Sequence, residues 1–326
     1  MMKTKLSLGR KPFNEFWMNC MLNQAFSIAV SEEASYKDAA YLNIYRYYPW
    51  EAATDKDFRY PTIDALYYMD DPARFPLSQV IQTIEPGTFH NPENLLEEIR
   101  TTLDHGRNLS INVDLYDWLP GSLAWKRFHW YHYSLINGYD KERGVFYVID
   151  DTLAGYEEYE IPEERLIKAY THSEYNVNPS YDGPAYYVYN LQDSIQPYEL
   201  KLTEVLDNAE RLARELRKFS MVGMWNVDAD PEKRQAHLTY GLVGVNIICN
   251  RHIANTLLFQ SLREKGLIDE SLYASLSEQV EWVKDGWNVV KDRFITGDFV
   301  RDRELAYAEE LLAKERAFWI TLLEGA

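Results

Sequence analysis

The apolar pattern of this chain changes period near residue 196, and the change limits which folds are open to it. From Glu199 onward, Leu202, Val205, Leu206, Ala209, Leu212, Ala213, Leu216 and Phe219 recur at steps of three and four, which is one face of a helix. The same spacing runs through His237 to Arg263, Asp269 to Val290 and Arg303 to Leu323, so the last third reads as a helical bundle or cap. Upstream, short strand-like runs alternate with clusters of Gly, Pro, Asn and Asp. The expected class is α+β in two domains, residues 1–196 mixed and residues 197–326 mainly helical. A chain of 326 residues is long enough for each to bury its own core.

Charge narrows the function classes. Lys plus Arg is 34 and Asp plus Glu is 51, a formal charge of −17, which argues against phosphate-backbone binding and suits an amine-bearing small molecule. The two cysteines, Cys20 and Cys249, exclude a disulfide scaffold and point to a reducing, cytoplasmic setting. MMKTKLSLGRKPFNEFW lacks the apolar core of an export signal, and no stretch approaches the roughly 18 apolar residues of a membrane span. The 25 tyrosines and 9 tryptophans suit aromatic-lined clefts. The Tyr41–Trp50 run and the pair Trp125 and Trp130 are expected in core or cleft wall, with His129 at the cleft rim. No phosphate-cradling loop opens a helix, so no nucleotide cofactor is expected. Cys249 and His252 lie three apart without a second pair at metal-ligand spacing, so no metal site is expected either.

Several local elements can be read directly. A helix begins near Asn19, its N-cap, and puts Leu22, Ala25, Phe26 and Ala29 on one side. Pro92 to Leu103 reads as a second helix, with Asn91 as cap and Pro at the first helical position. Residues 109–115, LSINVDL, alternate as a strand, and so does AYYVYNL before the domain boundary.

The block HWYHYSLINGYDKERGVFYVIDD, residues 129–151, carries the chemistry. His132–Tyr139 and Val145–Asp150 flank Asp-Lys-Glu-Arg-Gly, a five-residue hairpin loop ending in Gly. If Tyr139 pairs with Val145, Ser134 falls opposite Asp150, and His132, Ser134 and Asp150 share one sheet face. His132 and Asp150 are then diagonal neighbours about 6–8 Å apart at Cβ, close enough for a carboxylate to fix an imidazole tautomer. A slip of one residue substitutes Asp151. Cys20, at the first turn of its helix, meets the positive end of the dipole, which favours a thiolate nucleophile. The order Cys, His, Asp is that of papain-like cysteine enzymes.

On these residues the chain resembles a known family. NCMLNQAFSIAV, INVDLY, HYSLINGYD and VFYVIDD resemble the N-terminal domain of the butirosin biosynthesis protein H family, itself similar to C39-like, papain-fold cysteine peptidases. Cys20, His132, Gly138, Tyr139, Asp140 and Asp150 match that pattern across roughly residues 10–190, and the match favours Asp150 over Asp151 as the orienting acid. C39-like enzymes place a Gln six positions before the Cys as an oxyanion donor; Asn14 stands there, and Met21 replaces the glycine that often follows the Cys. Both departures weaken a peptidase reading more than an acyl-transfer reading.

The resemblance implies Cys-dependent transfer of an acyl group from a carrier-protein thioester to an amine in natural-product biosynthesis. Cys20 is then the nucleophile, His132 the acid/base and Asp150 its orienter, with Asn14 or Asn19 supporting the oxyanion beside the Cys20 amide. The donor is expected on the phosphopantetheine arm of a partner acyl or peptidyl carrier protein, with no cofactor of the chain's own. Because such carriers are acidic, the dock is expected at Lys3, Lys5, Arg10 and Lys11 or at Arg211, Arg214, Arg217 and Lys218. Hydrolysis by the same triad and a non-catalytic scaffold are the alternatives.

Overall fold

The computed structural model of the protein describes residues 3–42, 44–52, 55–65, 76–89, 92–152, 155–178, 180, 183–228, 230 and 232–326. In chain order the elements are β1 (Lys5–Ser7), α1 (Cys20–Glu32), α2 (Tyr36–Leu42), β2 (Tyr45–Ala52), β3 (Asp55–Ala65), β4 (Ile81–Gly87), α3 (Leu95–Asp104), β5 (Asn108–Asp114), β6 (Tyr131–Asp140), β7 (Val145–Thr152), β8 (Gly155–Pro162), α4 (Glu163–His172), α5 (Glu174–Val177), β9 (Tyr186–Leu191), α6 (Leu202–Leu216), α7 (Arg234–Glu264), α8 (Glu270–Thr296) and α9 (Arg301–Gly325), with 3-10 turns at Pro76–Gln79 and Pro92–Asn94. The class is mixed α+β with antiparallel sheets. The second expected helix therefore opens as a 3-10 turn before α3, and its expected cap, Asn91, lies outside the described residues. Among the described residues no helix is long and apolar enough to cross a membrane.

Two compact units divide the chain differently from the expected contiguous halves. One is Met1–Lys37 with Pro72–Tyr198; the other is Asp38–Asp71 with Glu199–Ala326. The correction concerns most of α2 and the hairpin β2–β3, which belong with the C-terminal helices rather than with residues 1–196. The hairpin's side chains explain why. Tyr45 and Tyr47, both buried, donate to the Glu315 carboxylate of α9 at 2.7 and 2.6 Å. Phe58 stacks on His237 of α7 with ring centroids 4.3 Å apart. A Cβ on Gly244 of α7 would stand 2.4 Å from the Pro61 carbonyl, so only glycine lets the helix approach the strand backbone that closely. The Tyr-rich run is thus wall and core of the helical unit.

In the first unit a sheet runs in the order β4-β9-β5-β6-β7-β8, with β1 added beside β6. Leu109, Ile111, Val113, Ile136 and Val148 form one apolar face, packed with Leu95, Ile99 and Leu103 of α3 and Leu166, Ala169 and Tyr170 of α4. The alternation of these strand residues with Ser110, Asn112 and Leu135 is the period-two pattern of a sheet covered on both sides. Helix α1 packs against β6 and β7.

The β6–β7 hairpin departs from expectation at its turn and returns to it near the site. Asp140 pairs with Val145 and Tyr139 with Phe146, so the loop has four residues, Lys141–Gly144, and the register at the turn is one residue off. Gly144 takes φ 62 there, a left-handed value that favours glycine. A bulge between Ile136 and Gly138 absorbs one residue, and beyond it Ile136 pairs with Val148 and Leu135 with Ile149. Continuing that register puts Ser134 opposite Asp150, as expected, because the turn and the bulge displace the pairing in opposite senses. Gly138 has a further role: a Cβ there would lie 2.2 Å from the Leu6 carbonyl oxygen of β1.

Candidate active site

The site grows from a gap in the sheet. The last β6–β7 pair is Leu135 with Ile149, yet β6 continues back to Tyr131 and β7 onward to Thr152. Asn112, opposite Tyr133 on β5, sends its N–H the other way, to the Ala185 carbonyl at 2.8 Å. In an antiparallel pair this turns the Tyr133 backbone away from β5, toward the opening. The start of α1 fills that opening: Gln24 Nε2 donates to the Tyr133 carbonyl, and the Tyr133 amide draws down the pKa of the Cys20 thiol. The nucleophile candidate therefore sits beside the residue that follows His132 in the chain.

Helix α1 begins at Cys20 as expected, with Asn19 as N-cap accepting from the Leu22 N–H at 2.8 Å. The loop before it is tied back to the same helix. Buried Asn23 donates to the Phe13 and Phe16 carbonyls, each at 3.1 Å, and accepts from the Met18 N–H at 2.8 Å.

His132 and Asp150 meet. His132 Nε2 lies 3.0 Å from Asp150 Oδ2, with the carboxylate side chain only 1% exposed. The same oxygen accepts from Trp118 Nε1 at 2.7 Å, and Oδ1 accepts from the Asp151 N–H at 2.8 Å. Burial alone would raise the Asp150 pKa, but the His132 charge and hydrogen bond, with the Asp151 N–H, hold it below the usual carboxylate range. Burial pulls the His132 imidazole down, and the Asp150 charge outweighs it, leaving the pKa above the ordinary value. Asp151 is pushed up to about 6 by burial and by the neighbouring Asp150 charge. It is the carboxyl that gains a proton first, so Asp150 keeps its charge.

The Cys20 thiol is not the thiolate expected from its place on the helix. Burial pushes it up to about 12, Asp150 and Asp151 add to the rise, and the Tyr133 and Met21 amides oppose it without prevailing. Half a unit charge at a helix start is smaller than the cost of drying a thiolate beside two carboxylates. Among the described residues no hydrogen bond joins Cys20 to His132, and His132 Nδ1 has no hydrogen-bond partner.

The supporting residues are placed as follows. Asn14 is exposed and donates its amide to Glu157 at 3.1 Å, and Asn19 uses its carbonyl oxygen in the cap, so neither hydrogen bond leads to the thiol. His129 gives Nδ1 to the buried Asp114 and stacks on Tyr116 with centroids 4.6 Å apart. Trp130 is exposed, and Trp125 lies half-buried under Lys126 and Arg165, each within 5.4 Å of its ring centroid. Cys249 is buried in α7, while His252 turns to Glu315 at 3.6 Å. Among the described residues, His132, Asp150 and Asp151 could supply a metal ion, with ligand atoms all within 4.8 Å of one another. An ion there would displace the His132–Asp150 hydrogen bond.

Trp118, Asn23, Gln24 and the Tyr133 backbone escaped the sequence reading. Asn23 and Gln24 had a usable signal, since two adjacent amides inside an apolar helical stretch need buried partners. Compared with known proteins, the chain matches no protein-family model and no curated protein.

Proposed function

We propose that the first unit is a papain-like, C39-like cysteine-enzyme domain, and that the protein transfers an acyl group from a carrier-protein thioester to an amine acceptor. One observation carries the reading: His132 commits Nε2 to a buried, charged Asp150 and keeps Nδ1 unpartnered, with Cys20 held beside the next residue of the same strand. With the Nε2 proton held by Asp150, Nδ1 presents a lone pair and acts as a general base.

The thiol starts protonated, so its proton leaves during attack. Cys20 Sγ bonds to the thioester carbonyl carbon while its proton passes to His132 Nδ1, and N–H groups at the start of α1 face the new oxyanion. Collapse breaks the bond to the carrier's sulfur, which takes the proton from His132. The amine then attacks the Cys20 thioester, His132 accepts its proton, and the departing Cys20 thiolate takes that proton back. One amide forms and one thiol is released. Asp150 stabilises the transient imidazolium throughout.

An acidic surface of −17 favours a cationic acceptor. The acidic carrier needs local cations. In the first candidate dock, Lys5 is paired with Asp140 and Arg10 with Glu32, whereas Arg214, Arg217 and Lys218 of the second are exposed. We place the protein in the cytoplasm, where both thiols stay reduced. The raised Cys20 thiol favours a second reading, a non-catalytic scaffold of a biosynthetic complex.

Incubation with an acyl-carrier thioester, with and without polyamines or amino sugars, separates the readings by product mass. Amide formed by the wild type and absent from Cys20→Ala supports transfer. Free acid alone makes the protein a hydrolase with the same triad, and no Cys20-dependent product makes it a scaffold.

A further inference from the structure

We infer a second ligand site, in the helical unit, for a small amphiphilic anion: an apolar chain or ring ending in a carboxylate or phosphate. It rests on a cavity and its charges and is independent of the chemistry at Cys20. The cavity holds about 350 Å³, which is within the range of small-molecule sites. Leu212 and Leu216 of α6 wall it, with Tyr47 of β2 and Phe219 completing an aromatic side whose ring centroids are 5.5 Å apart. The Tyr47 ring is pinned from behind, because its hydroxyl donates to the buried Glu315 at 2.6 Å. The apolar surface is therefore preformed rather than a collapsed gap.

The mouth selects the sign of the ligand. Arg46 and Lys218 line the cavity, both exposed, and among the described residues neither makes an ion pair. The one carboxylate in the lining, Glu215, is already held by Arg211 at 2.7 Å. Two cations free of ion pairs thus line an apolar cavity in a chain whose net charge is −17, with Asp64 opposite Arg46 in the β2–β3 register and Lys218 as the cation with no such neighbour. A neutral chain would gain from the walls only. An amine would be repelled, and an anion gains from both walls and mouth.

The test uses the full chain carrying Cys20→Ala, so that no acyl chemistry contributes. Octanoate, octanol and octylamine are titrated by calorimetry. The expected result is saturable one-to-one binding of octanoate, about tenfold weaker binding of octanol, and none of octylamine. Lys218→Glu and, separately, Arg46→Gln weaken octanoate by about tenfold while circular dichroism stays unchanged, since both side chains are exposed. Octanol binding as tightly as octanoate, an unaltered Lys218→Glu titration, or no octanoate binding would each overturn the site. Because Cys20 is absent from the test protein, none of these results bears on acyl transfer.

Discussion

Trp118→Phe removes a single N–H from the buried carboxylate that orients His132, and the size and pH dependence of its effect follow from the geometry. Asp150 is 1% exposed and takes hydrogen bonds from Trp118 at 2.7 Å, His132 at 3.0 Å and the Asp151 amide at 2.8 Å. A hydrogen bond to a charged group contributes about 2 kcal/mol, and the smaller ring leaves a void costing about 1 kcal/mol. The expected loss of stability is about 3 kcal/mol at neutral pH. The folded Asp150 pKa lies below its unfolded value, so its contribution is complete above about pH 4 and disappears as pH falls through the lower folded value. The deficit of Trp118→Phe should therefore shrink toward about 1 kcal/mol on acidification. Trp287→Phe supplies the control, because that buried indole N–H has no hydrogen-bond partner and its deficit should not vary with pH. Urea unfolding of both variants across the acid range measures the difference. A deficit for Trp118→Phe as flat as the control's would refute the role given to the Trp118–Asp150 bond.

Three further outcomes are expected. A thiol raised from an ordinary value of 9.0 to about 12 holds about a thousandfold less thiolate at neutral pH, so iodoacetamide should label Cys20 slowly, at a rate still climbing above pH 9; a plateau below pH 8 would contradict the raised thiol. Because Asp150 raises the His132 pKa, kcat/KM for transfer should rise with pH through a midpoint above about 6.5, and Asp150→Asn should lower both the midpoint and, by about a hundredfold or more, the rate. Gly138→Ala would drive a Cβ into the Leu6 carbonyl at 2.2 Å, so hydrogen exchange should show β1 amides losing protection with about 2 kcal/mol of stability lost; intact protection would refute the close packing of β1 on β6.

How much of this was legible depended on the range of the interactions. Asn19 capping Cys20 at the start of α1 is a local matter, and the residues within one turn decide it. The pairing of His132 with Asp150 was also readable, but for a reason only partly seen. The expected register was wrong at the turn, and the bulge at Asn137 and Gly138 restores it. An Asn-Gly inside a strand pattern is itself a bulge signal, and reading it would have corrected the turn as well. The assignment of the β2–β3 hairpin to the helical unit was beyond local reading, because Tyr45 and Tyr47 find Glu315 nearly 270 residues away. The state of Cys20 was hidden for the same reason. The dipole at a helix start is a local feature, whereas the burial and the two aspartates that outweigh it come from the sheet.

In the proposed reaction Cys20 carries the acyl group. Intact-protein mass after brief exposure to an acyl-carrier thioester tests it most directly. One acyl adduct is expected on wild type, mapped to Cys20, absent from Cys20→Ala, formed more slowly by His132→Ala, and discharged as amide when an amine is added. An adduct on another residue, or amide formed by Cys20→Ala at the wild-type rate, would contradict it.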